Sequence, residues 1–226
     1  MYKIKVLGSS STDGNATLFY KDNGRITMVD WGCEVSEEDL KLIDEVYITH
    51  YHGDHTWFLN QLNKYPNIKL INTSEYLVDH CKGHNLHKLI SNFAFSIKID
   101  DIKIFFMTDC GNVDKEWMKT LDLSEYEILC IECNYNAISV ANIKFEDIKS
   151  IRQFSRVGHL SNLQALDFIL KTKFNLSKNG RILFLHKSYQ YADKNTWTVF
   201  ESLKQPYIIA EKGQIIYCKN TLWKLI

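Results

Sequence analysis

Short apolar, β-branched runs recur along the chain, separated by stretches whose apolar positions repeat at helical spacing. The runs predict strands near 2–7, 16–20, 25–30, 45–49, 68–71, 92–98, 102–107, 127–132, 181–186, 206–210 and 214–218. The stretches between them predict helices near 36–43, 55–64, 74–82, 113–120, 145–155, 160–173 and 194–204. Tyr20-Lys21-Asp22-Asn23-Gly24-Arg25, set between two apolar runs, has the character of a hairpin. Many strands interleaved with helices imply an α/β protein of two sheets packed face to face with helices outside. No repeat, low-complexity tract or linker rich in Pro, Gly or Ser interrupts the pattern. The 226 residues fit one domain, 1–226, or two intimately packed halves.

Composition narrows the function classes. A hydrophobic content of 45% is enough for a sizeable core. No apolar stretch is long enough to span a membrane. Met1-Tyr2-Lys3-Ile4-Lys5-Val6 reads as a first strand, not as the apolar centre of a signal peptide. Six cysteines in a chain of this length do not resemble a disulfide scaffold, so the thiols are expected reduced and the protein cytoplasmic. Cys130-Ile131-Glu132-Cys133 has the CxxC spacing but no second pair, and packing is the better reading. The 27 basic and 27 acidic residues cancel. A protein gripping a long duplex is usually basic, so the balance leans toward small or short substrates.

Chemistry concentrates in Thr49-His50-Tyr51-His52-Gly53-Asp54-His55, directly after the apolar run Val46-Tyr47-Ile48-Thr49. Four potential metal ligands fall within six residues. Imidazole and carboxylate together suit zinc or another first-row metal. In an extended segment His50 and His52 point to the same side. Asp54 and His55, past a turn at Gly53, can face a second point, which suggests two metals and hydrolysis. Two metals need more ligands, and strand tips are the place to seek them. Asp109 follows the run Ile102–Met107, Glu132 closes Glu127–Ile131, and His186 follows Arg181–Leu185. His80 and His84, four apart on an expected helix with no acid at matching spacing, read as surface residues.

At these residues the chain resembles the metallo-β-lactamase-fold hydrolases over nearly its full length. HxHxDH stands intact at His50, His52, Asp54 and His55. Gly8-Ser9-Ser10-Ser11-Thr12-Asp13-Gly14-Asn15-Ala16 resembles the first loop of the family's nuclease branch, and Val29-Asp30-Trp31-Gly32 a family strand end. Asp109 matches the bridging aspartate, although the family usually has Thr where Cys110 stands. His186 matches the last ligand. The third-motif histidine, which in the nuclease branch lies eight residues before a Phe on the next strand, is His87, with His84 as the substitute; Lys88 stands where the branch often has Asp. Gly158-His159-Leu160-Ser161-Asn162 resembles a phosphodiesterase motif in which a non-ligand His contacts the scissile phosphate, and Glu132 the acid that orients it. The long arm by which tRNase Z holds tRNA has no counterpart.

The resemblance implies a four-layer αββα sandwich, two mixed sheets with helices on both outer faces. It implies two divalent ions, Zn²⁺ or alternatively Mn²⁺, one on His50, His52 and His87, the other on Asp54, His55 and His186, bridged by Asp109. Such a pair, about 3.5–4 Å apart, lowers the pKa of a shared water from about 15.7 toward about 7 and so supplies hydroxide at neutral pH. Asp54, His159 and Glu132 form the implied catalytic set, and Asn15, Ser161 and Asn162 lie where substrate would be touched. Ser161 and Asn162 also read as local helix caps. The expected activity is phosphodiester hydrolysis on a small cyclic nucleotide or a nucleic-acid end. An exonuclease proper, or a thioester or lactone hydrolase on the same fold, is the alternative. A homodimer is the assembly the resemblance implies. A non-catalytic scaffold is disfavoured by the full ligand set, and a flavodiiron oxidoreductase by the lack of room for a flavin domain.

Overall fold

The computed structural model describes residues 2–71, 76–80, 92–144, 158–219 and 222–225. The chain forms two compact units: Met1–Ser74 with Lys98–Ile102 and Ala210–Ile226, and Glu75–Ile97 with Lys103–Ile209. Each carries one mixed sheet, as the α/β reading expects.

In the first unit the sheet runs β14-β13-β1-β2-β3-β4-β5. Its strands are β1 (Tyr2–Ser10), β2 (Gly14–Tyr20), β3 (Ile26–Val29), β4 (Ile43–Tyr47), β5 (Lys69–Ile71), β13 (Ile215–Lys219) and β14 (Leu222–Leu225). The hairpin partners β1, β2 and β3 pair antiparallel, whereas β3, β4 and β5 are parallel. The parallel part matters for the site, because it brings the C-terminal ends of β3 and β4 to one edge. Leu18, Ile26, Met28, Trp31, Leu40, Ile43, Val46 and Ile48 form the core. Helix α1 (Glu37–Leu40) starts where the Ser36 side chain accepts the Asp39 amide and three acids fill the first turn, opposite the positive end of the helix dipole.

In the second unit the sheet runs β12-β11-β10-β8-β7-β6-β9. Its strands are β6 (Tyr76–His80), β7 (Asn92–Ile99), β8 (Ile102–Met107), β9 (Cys110–Asn112), β10 (Ile128–Glu132), β11 (Arg181–Leu185) and β12 (Tyr207–Ile209). β8, β10, β11 and β12 are all parallel. β10 and β11 are buried along their whole length, which is why they read as unbroken apolar runs instead of alternating ones. The helices are α2 (Gly53–Thr56) in the first unit and α3 (Lys115–Thr120), α4 (Ala137–Ala141) and α5 (Asn162–Lys171) in the second. α5 opens with a capping box between Ser161 and Gln164 and buries Ala165, Phe168 and Ile169 on one face. Phe168 packs beside Phe105 and Trp117. Its burial contributes ~1.5–3 kcal/mol, and Phe168→Ala would cost ~3–5 kcal/mol.

Several expected elements differ. The helix anticipated near 74–82 is instead strand β6, because Tyr76, Leu77 and Val78 pair with Ala94, Phe93 and Asn92, and Asp79 and His80 pair with β9. Sheet pairing overrides a short helical pattern. The expected helix at 194–204 is two short 3₁₀ turns, the first capped by Asp193. The expected helix at 55–64 is α2 followed by a 3₁₀ turn over Leu59–Lys64. β9 and β14 were too short and too unpatterned to be anticipated. The expected helix at 145–155 lies outside the described residues.

Candidate metal centre

In the first unit Asp30 follows β3 and Thr49 follows β4 by two residues, and Val29 lies opposite Tyr47 in the parallel register. The two strand ends therefore meet. Thr49 donates its amide and hydroxyl to Asp30 at 2.8 and 3.0 Å, and Asp30 Oδ2 lies 2.7 Å from His55 Nδ1. Asp30 adopts a left-handed φ of 58°, which aims its carboxylate back over the strand end. Burial pushes its carboxyl above the ordinary range, against the pull of the His55 ring and the Thr49 hydrogen bonds. A carboxylate on Nδ1 fixes the tautomer and leaves Nε2 as the ligating nitrogen.

The three rings of the HxHxDH run gather there. His50 and His52 stand edge to face with centroids 4.8 Å apart, and His50 and His55 lie 4.1 Å apart. His50, His52 and His55 are all buried. Gly53 turns the chain from extended His52 into a helix. It opens α2, and a Cβ there would meet the Trp57 indole nitrogen at 2.8 Å.

In the second unit, parallel pairing sets Met107, Ile131 and Phe184 level, and Glu132 level with Leu185. Asp109, Glu132 and His186 thus emerge on one edge of three adjacent strands, with Glu132 on the middle one. Asp109 and His186 both have left-handed backbones, with φ of 52° and 54°. His186 Nε2 lies 3.3 Å from Asp109 Oδ1. Glu132 is fully buried and engages four groups. Its Oε1 lies 2.5 Å from His159 Nδ1 and 3.2 Å from His186 Nδ1. Its Oε2 accepts the amides of Cys110 and Leu160 at 3.2 and 3.3 Å. Glu132 was expected to orient His159; it grips His186 as well. Donor atoms of Asp109, Glu132, His159 and His186 lie within 4.8 Å of one another.

His55 Nδ1 thus faces Asp30 in the first unit, and His159 and His186 Nδ1 face Glu132 in the second, so each unit gathers buried imidazoles with a carboxylate. That donor set, neutral imidazole with carboxylate oxygen, fits a divalent first-row metal.

No protein-family model matches the sequence, and no curated protein does. Solved structures do. The metallo-β-lactamase fold protein YhfI from Bacillus subtilis superposes with a TM-score of 0.67 at 14% identity, covering 95% of this chain and 99% of that one. The chain has the metallo-β-lactamase fold. The short form of human tRNase Z matches with a TM-score of 0.55 at 14% identity, over 95% of this chain and 98% of that one. Zn²⁺-bound PqqB from Methylobacterium extorquens gives 0.59 at 11% identity, over 96% of this chain and all of that one.

Other anticipated residues of this metallo-β-lactamase-fold chain fall as follows. His87 and its substitute His84 lie outside the described residues. Asn15 stands at the start of β2, and its amide reaches Asp54 Oδ2 and His55 Nε2 at 3.1 and 3.0 Å. Ser161 and Asn162 are buried, with side chains committed to the fold. Ser161 caps α5, while Asn162 accepts the amides of Ala137 and Leu163 and donates to the Thr196 carbonyl. Ser161 thus takes the cap role that its spacing to Gln164 suggested. Cys130 and Cys133 are buried and in no disulfide, and burial beside Glu132 pushes the Cys133 thiol well up, so both pack. Sequence reasoning missed two supports, Asp30 as the partner of His55 and Asn134, which donates to the His186 carbonyl at 2.6 Å. Both lie just past strand ends, where the candidate ligands were also sought. Among the described residues no helix is long and apolar enough to cross a membrane.

Proposed function

We propose that this chain is a dinuclear metal-dependent phosphodiesterase acting on a nucleotide, either a small cyclic nucleotide or a nucleic-acid end. In this reading His50, His52 and His87 hold one ion, Asp54, His55 and His186 the other, and Asp109 serves both. Zn²⁺ is the metal this donor set suits best, with Mn²⁺ as the substitute. When bound, the ions supply positive charge and activated water for in-line attack on an anionic phosphodiester.

The observation that carries the reading is the pair His159–Glu132 at 2.5 Å. A hydrolase of neutral lactams, thioesters or lactones does not need an extra buried imidazole held by an acid. A phosphodiesterase does. With Nδ1 on Glu132, His159 keeps Nε2 for a non-bridging oxygen or for the proton that the leaving alkoxide must receive. The zero net charge speaks for a short or small substrate. A homodimer belongs to the same proposal, and light scattering on the purified protein checks it.

The test is a hydrolysis panel with the Zn²⁺- or Mn²⁺-loaded protein. It contains cyclic purine and pyrimidine nucleotides, single- and double-stranded DNA and RNA, bis-p-nitrophenyl phosphate, and thioester and lactone substrates. Turnover of cyclic nucleotides with inert polymers marks the small-substrate enzyme, and mononucleotide release from polymer ends marks the exonuclease. Cleavage of thioesters or lactones with every phosphodiester inert would sink the proposal.

A further inference from the structure

Asn15 is held against the ligand run by an unusually tight backbone arrangement. Gly14 has a φ of +80°, and a Cβ on it would fall 2.0 Å from the Gly32 carbonyl oxygen. A Cβ on Gly32 would fall 1.7 Å from the Asp54 carbonyl oxygen and 2.7 Å from the Asn15 nitrogen. Only glycine at both positions lets these three backbones touch. The Gly32 amide donates to the Asn15 carbonyl at 2.9 Å, and the Trp31 amide to the His55 carbonyl at 2.8 Å. The start of β2, the Asp30–Gly32 loop and α2 are thereby locked together, and the buried Asn15 side chain is delivered to Asp54 and His55.

What its amide does there follows from the atoms. His55 Nδ1 faces Asp30, so Nε2 is the acceptor for the Asn15 amide at 3.0 Å. The same nitrogen of Asn15 donates to Asp54 Oδ2 at 3.1 Å. Asn15 therefore engages both side chains through one nitrogen and holds the Asp54 carboxylate by its Oδ2.

We propose that Asn15 is a positioning residue for the second metal: its amide fixes the Asp54 carboxylate and satisfies the buried His55 Nε2 until a cation takes that lone pair. This assigns Asn15 to the metal centre, not to substrate. It rests on the reading that Asp54 and His55 are ligands.

The test is a Co²⁺ titration of the full-length, metal-free protein, followed by visible absorption, with melting curves alongside. The variants are Asn15→Ala, Asn15→Leu, which keeps volume without a donor, and Asp54→Ala. The expected result is that both Asn15 variants keep the first binding step and weaken the second by about 10–100-fold, the usual effect of removing a ligand's hydrogen-bond partner. The absorption bands of the second ion should also change. Two unaltered steps in Asn15→Leu would overturn the inference, as would equal weakening of both steps together with a lowered melting temperature, which marks a merely structural role. Asp54→Ala separates the two levels. If it loses the second step while Asn15→Leu does not, the inference alone fails; if it keeps both steps, the ligand reading fails and takes the inference with it.

Discussion

The two units solve one chemical problem, presenting imidazoles with a fixed tautomer, in different ways. In the first unit the rings come from a single run, His50 to His55, and one carboxylate, Asp30, holds one of them. In the second the groups come from four places between Asp109 and His186, and one carboxylate, Glu132, holds two rings and two backbone amides. A contiguous run needs little beyond its own strand end to bring its ligands together. A dispersed set needs parallel strands in register and a shared buried anchor at the centre. The second arrangement concentrates risk, because a single residue keeps several others in place.

The sharpest way to break this comparison is to separate His159 from the groups it lies among. His159→Ala should lower kcat on unactivated phosphodiesters by ~10²–10⁴-fold, with a smaller loss on p-nitrophenyl esters, whose leaving group needs no proton. Bound metal, measured by atomic absorption, should be unchanged. Loss of an ion would make His159 a ligand instead. Glu132→Gln comes next. Taking the charge from a buried anchor of two rings should cost ~3–5 kcal/mol in denaturant unfolding and weaken metal binding as well. Asp30→Asn touches one ring only. Its expected loss is nearer tenfold in metal affinity, read by chelator competition, and a cost as large as that of Glu132→Gln would erase the asymmetry.

Away from both rims, Asp39 bonds Lys5 at 2.8 Å, Tyr20 at 2.7 Å and Ser36 at 3.0 Å. Burial alone would raise its carboxyl, but these partners hold it below the ordinary range. A depressed folded-state pKa gives stability that is present above the unfolded value of about 3.9 and is lost as pH falls through the folded one. Asp39→Asn should therefore destabilise by ~1 kcal/mol at pH 7, with the gap closing below about pH 4 in melts across pH. The smallest effect expected is that of thiol-blocking reagents. Buried Cys130 and Cys133 should resist labelling in the folded protein, leaving its activity unchanged.

Much of this was legible because the signals were local. The ligand run, the strand tips at Asp109, Glu132 and His186, and the apolar runs of β8, β10 and β11 are each carried by neighbours in sequence. The misjudged elements were those whose partners lie far along the chain. Tyr76–His80 is a strand only because β7 and β9 flank it. The capping box between Ser161 and Gln164, by contrast, is a local signal and was legible.

The sequence by itself determined the α/β class, the imidazole and carboxylate chemistry and the places where it emerges, since alternation, apolar runs and ligand spacing are short-range properties. Tertiary structure alone decided which carboxylate holds which ring. Asp30 reaches His55, Glu132 reaches both His159 and His186, and Asn15 reaches Asp54, because strand register and the glycine contacts at Gly14 and Gly32 bring them together. Hydrogen bonds fall off within a fraction of an ångström, and positions that close are set by the packing of the whole unit.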